Sequence, residues 1–234
     1  MNEATNRKPQ IIRLAVSGLV LLIIPVLLMS LAGNWGWLEG WAFSLWYIAM
    51  SYSAVFYQFF KNPALLEERR SGQRATNRPV WDKRVGMVAA FGFLAWLIVM
   101  PLESQRYGWT NGFPDWLKIV GLVGLIPSFY LILQTYILNA YLSRVVRVQE
   151  DRGQRVVTTG VYGIVRHPMY LGASLFFVSG PLLMDSIFGL GLGLFMILVL
   201  AYRITREEAL LVEELEGYAE FKGKTKYRLI PGIW

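Results

Sequence analysis

Long apolar runs separated by short polar stretches set the first reading of this chain. The runs fill positions 11 to 33, 38 to 60, 83 to 101, 116 to 138, 168 to 184 and 187 to 204. A helix needs about 20 apolar residues to cross a hydrocarbon core about 30 Å thick. The pattern therefore predicts an all-α fold, a polytopic membrane bundle of about six spans. The last two runs are short and joined only by "MDS" at 184 to 186, which also suits a tilted or interfacial hairpin. The first run follows Arg7 and Lys8 and passes "SLA" at 30 to 32, as a signal peptide would. It is longer than a signal core and more runs follow it, so a signal anchor is the better reading.

Composition agrees with this picture. With 55% hydrophobic and 17% charged residues and a mean hydropathy of +0.40, the chain lies outside the range of soluble globular domains. No repeat of 20 to 50 residues and no low-complexity linker divides it, so one domain over 1–234 is expected, with four spans in 1–138 and the other two in 139–234. The glycine string "FGLGLGLF" (188–195) lacks the preceding strand and following acidic residue of a dinucleotide fingerprint. Close helix packing accounts for it better.

Charge then orients the bundle. Of the 23 Lys and Arg residues, only Arg106 and Lys118 fall in connections on one side; the rest gather at the N-terminus, at 61–84, at 139–167 and from Arg203 onward. Because cytoplasmic loops collect positive charge, both termini and the polar face are expected in the cytoplasm. The excess reads as topology plus attraction to anionic headgroups, not as a nucleic-acid surface. With no cysteine and one histidine, a thiolate, zinc or haem centre is not expected.

Two polar stretches exceed what loop solvation explains. In "VVTTGVYGIVRHPMYLG" (156–172), Gly160 and Gly163 permit close backbone approach and Pro168 is placed to open the fifth span. Arg166, His167 and Tyr170 then cluster at the cytoplasmic rim. In "YRITREEALLVEELEGY" (202–218), the sixth span gives way to a charged helix. Helical spacing puts Arg203 and Glu207 on one face and turns Glu208 about 100° away, so one glutamate more easily faces a given ligand. Singly, each residue has a plainer role: Arg166 as a topology anchor, His167 as an interfacial cap, the glutamates as a solvated face, Tyr162 and Tyr170 as belt residues.

Together they form a recognisable pattern. "RHPMYLG" followed by "REE" at a span exit resembles the signature of the isoprenylcysteine carboxyl methyltransferase and phospholipid N-methyltransferase superfamily, and "KYRLIPGIW" (226–234) resembles the ending of its bacterial members. The resemblance is strong from Asn139 to Trp234, weaker at "NPALLEER" (62–69), and absent as a motif in the first two spans. It implies an integral membrane enzyme, as in a bacterial inner membrane, with a cytoplasmic C-terminal helix completing a site for S-adenosylmethionine. It implies that Thr159, Gly160, Tyr162, Val165, Arg166, His167, Pro168, Tyr170, Glu207 and Glu208 bind the cofactor, with Arg166, His167 and Glu207 closest to the chemistry. The acceptor enters from the bilayer.

The residue types suit that ligand independently. A ribose diol and an ammonium want carboxylates, a carboxylate wants a cation, and an adenine and a sulfonium want aromatic or apolar walls. By resemblance the acceptor is an isoprenylcysteine-type carboxylate, with a phospholipid amine or a thiol as alternatives; for an amine or thiol, His167 is a candidate proton acceptor. Membrane sterol reductases carry a similar segment and bind a nicotinamide cofactor. They typically show asparagine where this chain has Met169 and an acidic residue where it has Ala173.

Overall fold

The structure is a computed structural model that describes residue 19 and residues 21–71, 78–110 and 112–234. Residues 11–18 and 20 of the first expected span, Arg13 among them, lie outside these residues, together with Arg7, Lys8 and Arg74. Among the described residues there are eight α-helices and no strand, as the all-α reading expects. They are α1 (Ile23–Ala32), α2 (Leu38–Lys61), α3 (Pro63–Ser71), α4 (Val80–Pro101), α5 (Asp115–Leu138), α6 (Pro168–Leu183), α7 (Ile187–Glu214) and α8 (Tyr218–Lys224).

Local chemistry explains the boundaries. Pro63 and Pro168 open α3 and α6, where a missing N–H leaves no helical bond unmade. At the end of α1, Gly33 adopts φ 68° and its N–H closes on the Met29 carbonyl, the left-handed ending that glycine favours. Pro101 ends α4, and a π turn, Leu102–Arg106, follows. α7 joins two expected pieces, the sixth span and the charged helix after it, into one. The expected sixth span stops at 204, but α7 runs unbroken for 28 residues, because "REEALLVEE" (206–214) consists mostly of strong helix formers.

Among the described residues, three helices are long and apolar enough to cross a membrane: α4 with its π turn, α5 and α7. The 16-residue α6 and the 10 described residues of α1 are shorter apolar helices. At 24 residues α2 has the length, but its serines, tyrosines and Gln58 dilute its apolar character. Leu45, Phe56, Phe91, Ile126 and Leu198 point outward, an apolar surface suited to lipid.

Inside, Phe43, Trp96, Phe176, Phe177 and Met196 form the core, and Trp46 stacks on Phe176 at 5.0 Å. Helices meet through glycines. A Cβ on Gly121 of α5 would stand 2.5 Å from the Leu183 amide nitrogen, and one on Gly193 of α7 would stand 2.2 Å from the Phe177 carbonyl oxygen. Gly193 belongs to the glycine string, which therefore serves backbone approach at that position. The far end of α7 is anchored by Glu103, fully buried in the π turn, which accepts from the Ile187 and Phe188 amides at 3.0 and 3.1 Å and from the Ser186 and Thr110 hydroxyls. A carboxylate there complements the helix N-terminus, and the same helix carries Glu207 and Glu208 at its other end.

Candidate active site

The site begins with a turn. Gly160 takes φ 59° and starts the 3-10 turn Gly160–Gly163, which buries Val161 and Tyr162. Four residues later the chain pairs with its own C-terminal segment: the Arg166 amide donates to the Tyr227 carbonyl at 2.9 Å and the His167 amide to the Arg228 carbonyl at 3.0 Å. Pro168 then begins α6. Arg166 and His167 are thus held by the turn, the C-terminal segment and a helix start, and both are 6% exposed.

They border a cavity of about 470 Å³, within the usual range of roughly 300–1,000 Å³ for small-molecule sites. One wall is apolar and aromatic, from Val156, Val157, Tyr162, Leu211, Leu215, Tyr218 and Phe221. The lining also includes Arg69, Arg144 and Arg155. Arg69 lies 5.0 Å over the Tyr136 ring and donates to the Leu142 carbonyl at 3.0 Å. Burial lowers its guanidinium below the ordinary value, Tyr136 opposes that, and the charge of Arg144 adds to it. Arg147, by contrast, is neutralised by Glu68 at 2.7 Å and Asp151 at 2.9 Å.

The two adjacent glutamates go to different places. Glu207 lines the cavity and accepts the Tyr170 hydroxyl on Oε2 at 2.6 Å; its Oε1 has no hydrogen-bond partner among the described residues. Glu208 is only 2% exposed and does not line the cavity. Its Oε1 accepts from Arg166 Nε at 2.6 Å and pairs with His167 Nε2 at 3.1 Å, while Oε2 accepts from Arg228 Nε at 2.8 Å. Arg166 Nη1 donates to the Thr225 and Lys226 carbonyls, both at 2.7 Å. This is a buried ion cluster behind the cavity wall.

A second ion cluster lies beside Glu207. Arg203 Nη2 reaches the Arg144 carbonyl at 2.8 Å and stands 3.1 Å from Oδ1 of Asp82, which is fully buried and also takes Arg78 Nε at 2.6 Å. Arg203 Nε and the Tyr218 hydroxyl, on two lining residues, are buried without hydrogen-bond partners among the described residues. Burial raises the Tyr218 hydroxyl above its ordinary value, with the charges of Glu208 and Glu207 adding to it. Burial likewise raises Tyr162, partly offset by the Asn139 amide that donates to it at 2.9 Å and reinforced by Glu207. Both tyrosines are therefore neutral phenols near pH 7.

Of the residues singled out in the sequence, Tyr162, Arg166, His167, Pro168, Tyr170 and Glu207 line the cavity together. Thr159, Gly160, Val165 and Glu208 do not: Gly160 sits where a Cβ would press on Leu138, Val165 is turned inward at 2% exposure, and Glu208 is taken up by its own cations. Sequence reasoning passed over Asp82, Asn139, Tyr218 and Arg228. Asp82 carried a usable signal, an acidic residue at the start of an apolar run; the other three look like ordinary rim residues.

Residues 116–216 match the family model for phospholipid methyltransferase. A search of curated proteins finds no match. The matched segment includes α5, α6, α7 and the wall that holds Glu207.

Proposed function

We propose, from the premise that residues 116–216 are a phospholipid methyltransferase domain of the membrane methyltransferase superfamily seen in the signature, that the cavity binds S-adenosylmethionine and that the chain methylates a lipid-soluble acceptor. The observation that carries this reading is Glu207, a carboxylate with one oxygen held by Tyr170 and the other unpartnered among the described residues, in a cavity that aromatic side chains and arginines also line.

The donor set fits the cofactor. Glu207 Oε1 suits a ribose hydroxyl or an ammonium; the buried Arg203 Nε and Tyr218 hydroxyl, which lack hydrogen-bond partners among the described residues, suit acceptor atoms; Tyr162, Leu211, Leu215 and Phe221 suit an adenine. When bound, S-adenosylmethionine supplies an electrophilic methyl group. The protein's part is to fix orientation and exclude water, which in well-oriented reactions supplies about 7–11 kcal/mol of the barrier reduction. Arg166 and His167, held from behind by Glu208, are rigid parts of that wall.

For the acceptor, Arg69, Arg144 and Arg155 favour a molecule carrying an anion. An isoprenylcysteine-type carboxylate meets that condition and is already a nucleophile, so His167 need only bind. The second reading is a phospholipid amine, favoured by the family match; its phosphate would use the same arginines. In the bilayer we place both termini and the cavity on the cytoplasmic side of six spans. Calorimetric titration of the protein in nanodiscs tests the cofactor assignment: binding of S-adenosylmethionine without binding of NADPH supports it, and the reverse would return the chain to the reductase reading.

A further inference from the structure

We infer that Glu208, itself held by Arg228, is a positioning residue that fixes His167 as its Nε2–H tautomer, so that Nδ1 is the atom the only histidine offers to the cavity. Glu208 Oε1 lies 3.1 Å from His167 Nε2. A carboxylate is an acceptor only, so this contact requires a proton on Nε2. Which nitrogen of a neutral imidazole carries the proton is set by the bond the other nitrogen's side makes. Nδ1 has no partner among the described residues, and His167 lines the cavity.

The carboxylate cannot easily turn away. Arg166 Nε binds the same Oε1 at 2.6 Å, and Arg228 Nε holds Oε2 at 2.8 Å. Arg228 is in turn fixed, with its guanidinium 5.1 Å over the Trp234 ring and its amide donating to the Trp234 carbonyl at 2.9 Å. The C-terminal segment thereby sets the protonation geometry of a residue 61 positions earlier, through a single carboxylate, much as a second shell orients a histidine that binds a metal. It also divides the glutamate pair: Glu207 faces the ligand, and Glu208 acts through His167 and Arg166. On the cofactor reading above, Nδ1 accepts a hydrogen bond from an ammonium or hydroxyl of the bound ligand.

Because the chain has one histidine, ring-labelled ¹³C,¹⁵N-histidine gives one imidazole spectrum, which reports the tautomer directly. In ligand-free protein in lipid bilayers, at a pH where the ring is neutral, a single Nε2–H species is expected. Glu208→Gln, whose amide can also donate, should admit the Nδ1–H species. Arg228→Ala should do so too, Arg228→Lys should restore the single tautomer, and Glu207→Gln should leave it unchanged. A wild-type ring with its proton on Nδ1, or one tautomer in every variant, would overturn the inference. Adding S-adenosylmethionine then separates the two claims. A shift at Nδ1 alone supports both, binding with Nδ1 unmoved contradicts the acceptor role, and no binding with the Nε2–H species intact removes the cofactor reading while upholding the clamp.

Discussion

Neutralising each glutamate of the pair in turn should give opposite phenotypes, although Glu207 and Glu208 are neighbours in sequence. Glu207 lines the cavity and, among the described residues, holds one hydrogen-bond partner, the Tyr170 hydroxyl. Glu207→Gln keeps an oxygen for Tyr170, so stability should change little, but a charge-assisted bond to the cofactor is lost. Such bonds contribute about 1.5–3 kcal/mol, so cofactor affinity should fall about 10- to 150-fold at roughly 1.4 kcal/mol per tenfold. Glu208 is 2% exposed and binds Arg166, His167 and Arg228. Breaking a buried ion cluster by removing one partner costs about 3–5 kcal/mol. At about 2–4 °C per kcal/mol for a chain of this size, Glu208→Gln should lower the unfolding temperature by about 6–20 °C. Thermal unfolding and calorimetric titration of both variants in one detergent suffice. Equal loss of affinity with unchanged unfolding temperature in both would refute the division of roles.

Three further outcomes follow from other parts of the molecule. Cysteines placed singly at the exposed Glu150 and Lys224 of this cysteine-free chain should react with an impermeant maleimide only from the cytoplasmic side, and one at Asp115 only from outside; labelling of Glu150 and Lys224 from opposite sides would defeat the six-span topology. Gly193→Val should destabilise the bundle, because its Cβ meets the Phe177 carbonyl oxygen at 2.2 Å, whereas Gly191→Val, with nothing within 4 Å, should be tolerated in the same unfolding assay. Asp82→Asn should weaken cofactor binding at least as much as it lowers stability, since it frees Arg203 beside Glu207; a purely thermal effect with unchanged affinity would show that Arg203 needs no such anchor.

Much of the fold was legible because apolar runs ended at residues that stop helices or start them. The run at 116 to 138 lies between Pro114 and Asn139, and α5 spans Asp115–Leu138. The run at 168 to 184 opens on Pro168, and α6 does the same. What escaped was that the sixth span and the charged helix after it are one helix, α7, because the expected boundary followed loss of apolar character while helix propensity persisted through Glu214. At the site, helical phase separated Glu207 from Glu208 by about 100° but gave no hint which faced the ligand. That depended on Arg228, whose approach to Glu208 is a contact between distant segments that no local pattern encodes. Asp82 stood out as an acidic residue at the start of an apolar run, but its partner Arg203, on another helix, did not.

The central claim, methyl transfer to a lipid-soluble acceptor, is tested most directly by incubating membranes that contain the protein with S-adenosylmethionine tritiated in its methyl group, then extracting the lipids. Label is expected in an organic-soluble product, formed by wild-type protein and reduced in Glu207→Gln at limiting cofactor. Release of volatile methanol from that product by mild base would identify a carboxylate acceptor, and base-stable label an amine or a thiol. Organic-soluble label no greater than in membranes without the protein, across prenylcysteine and phospholipid acceptors alike, would contradict the account.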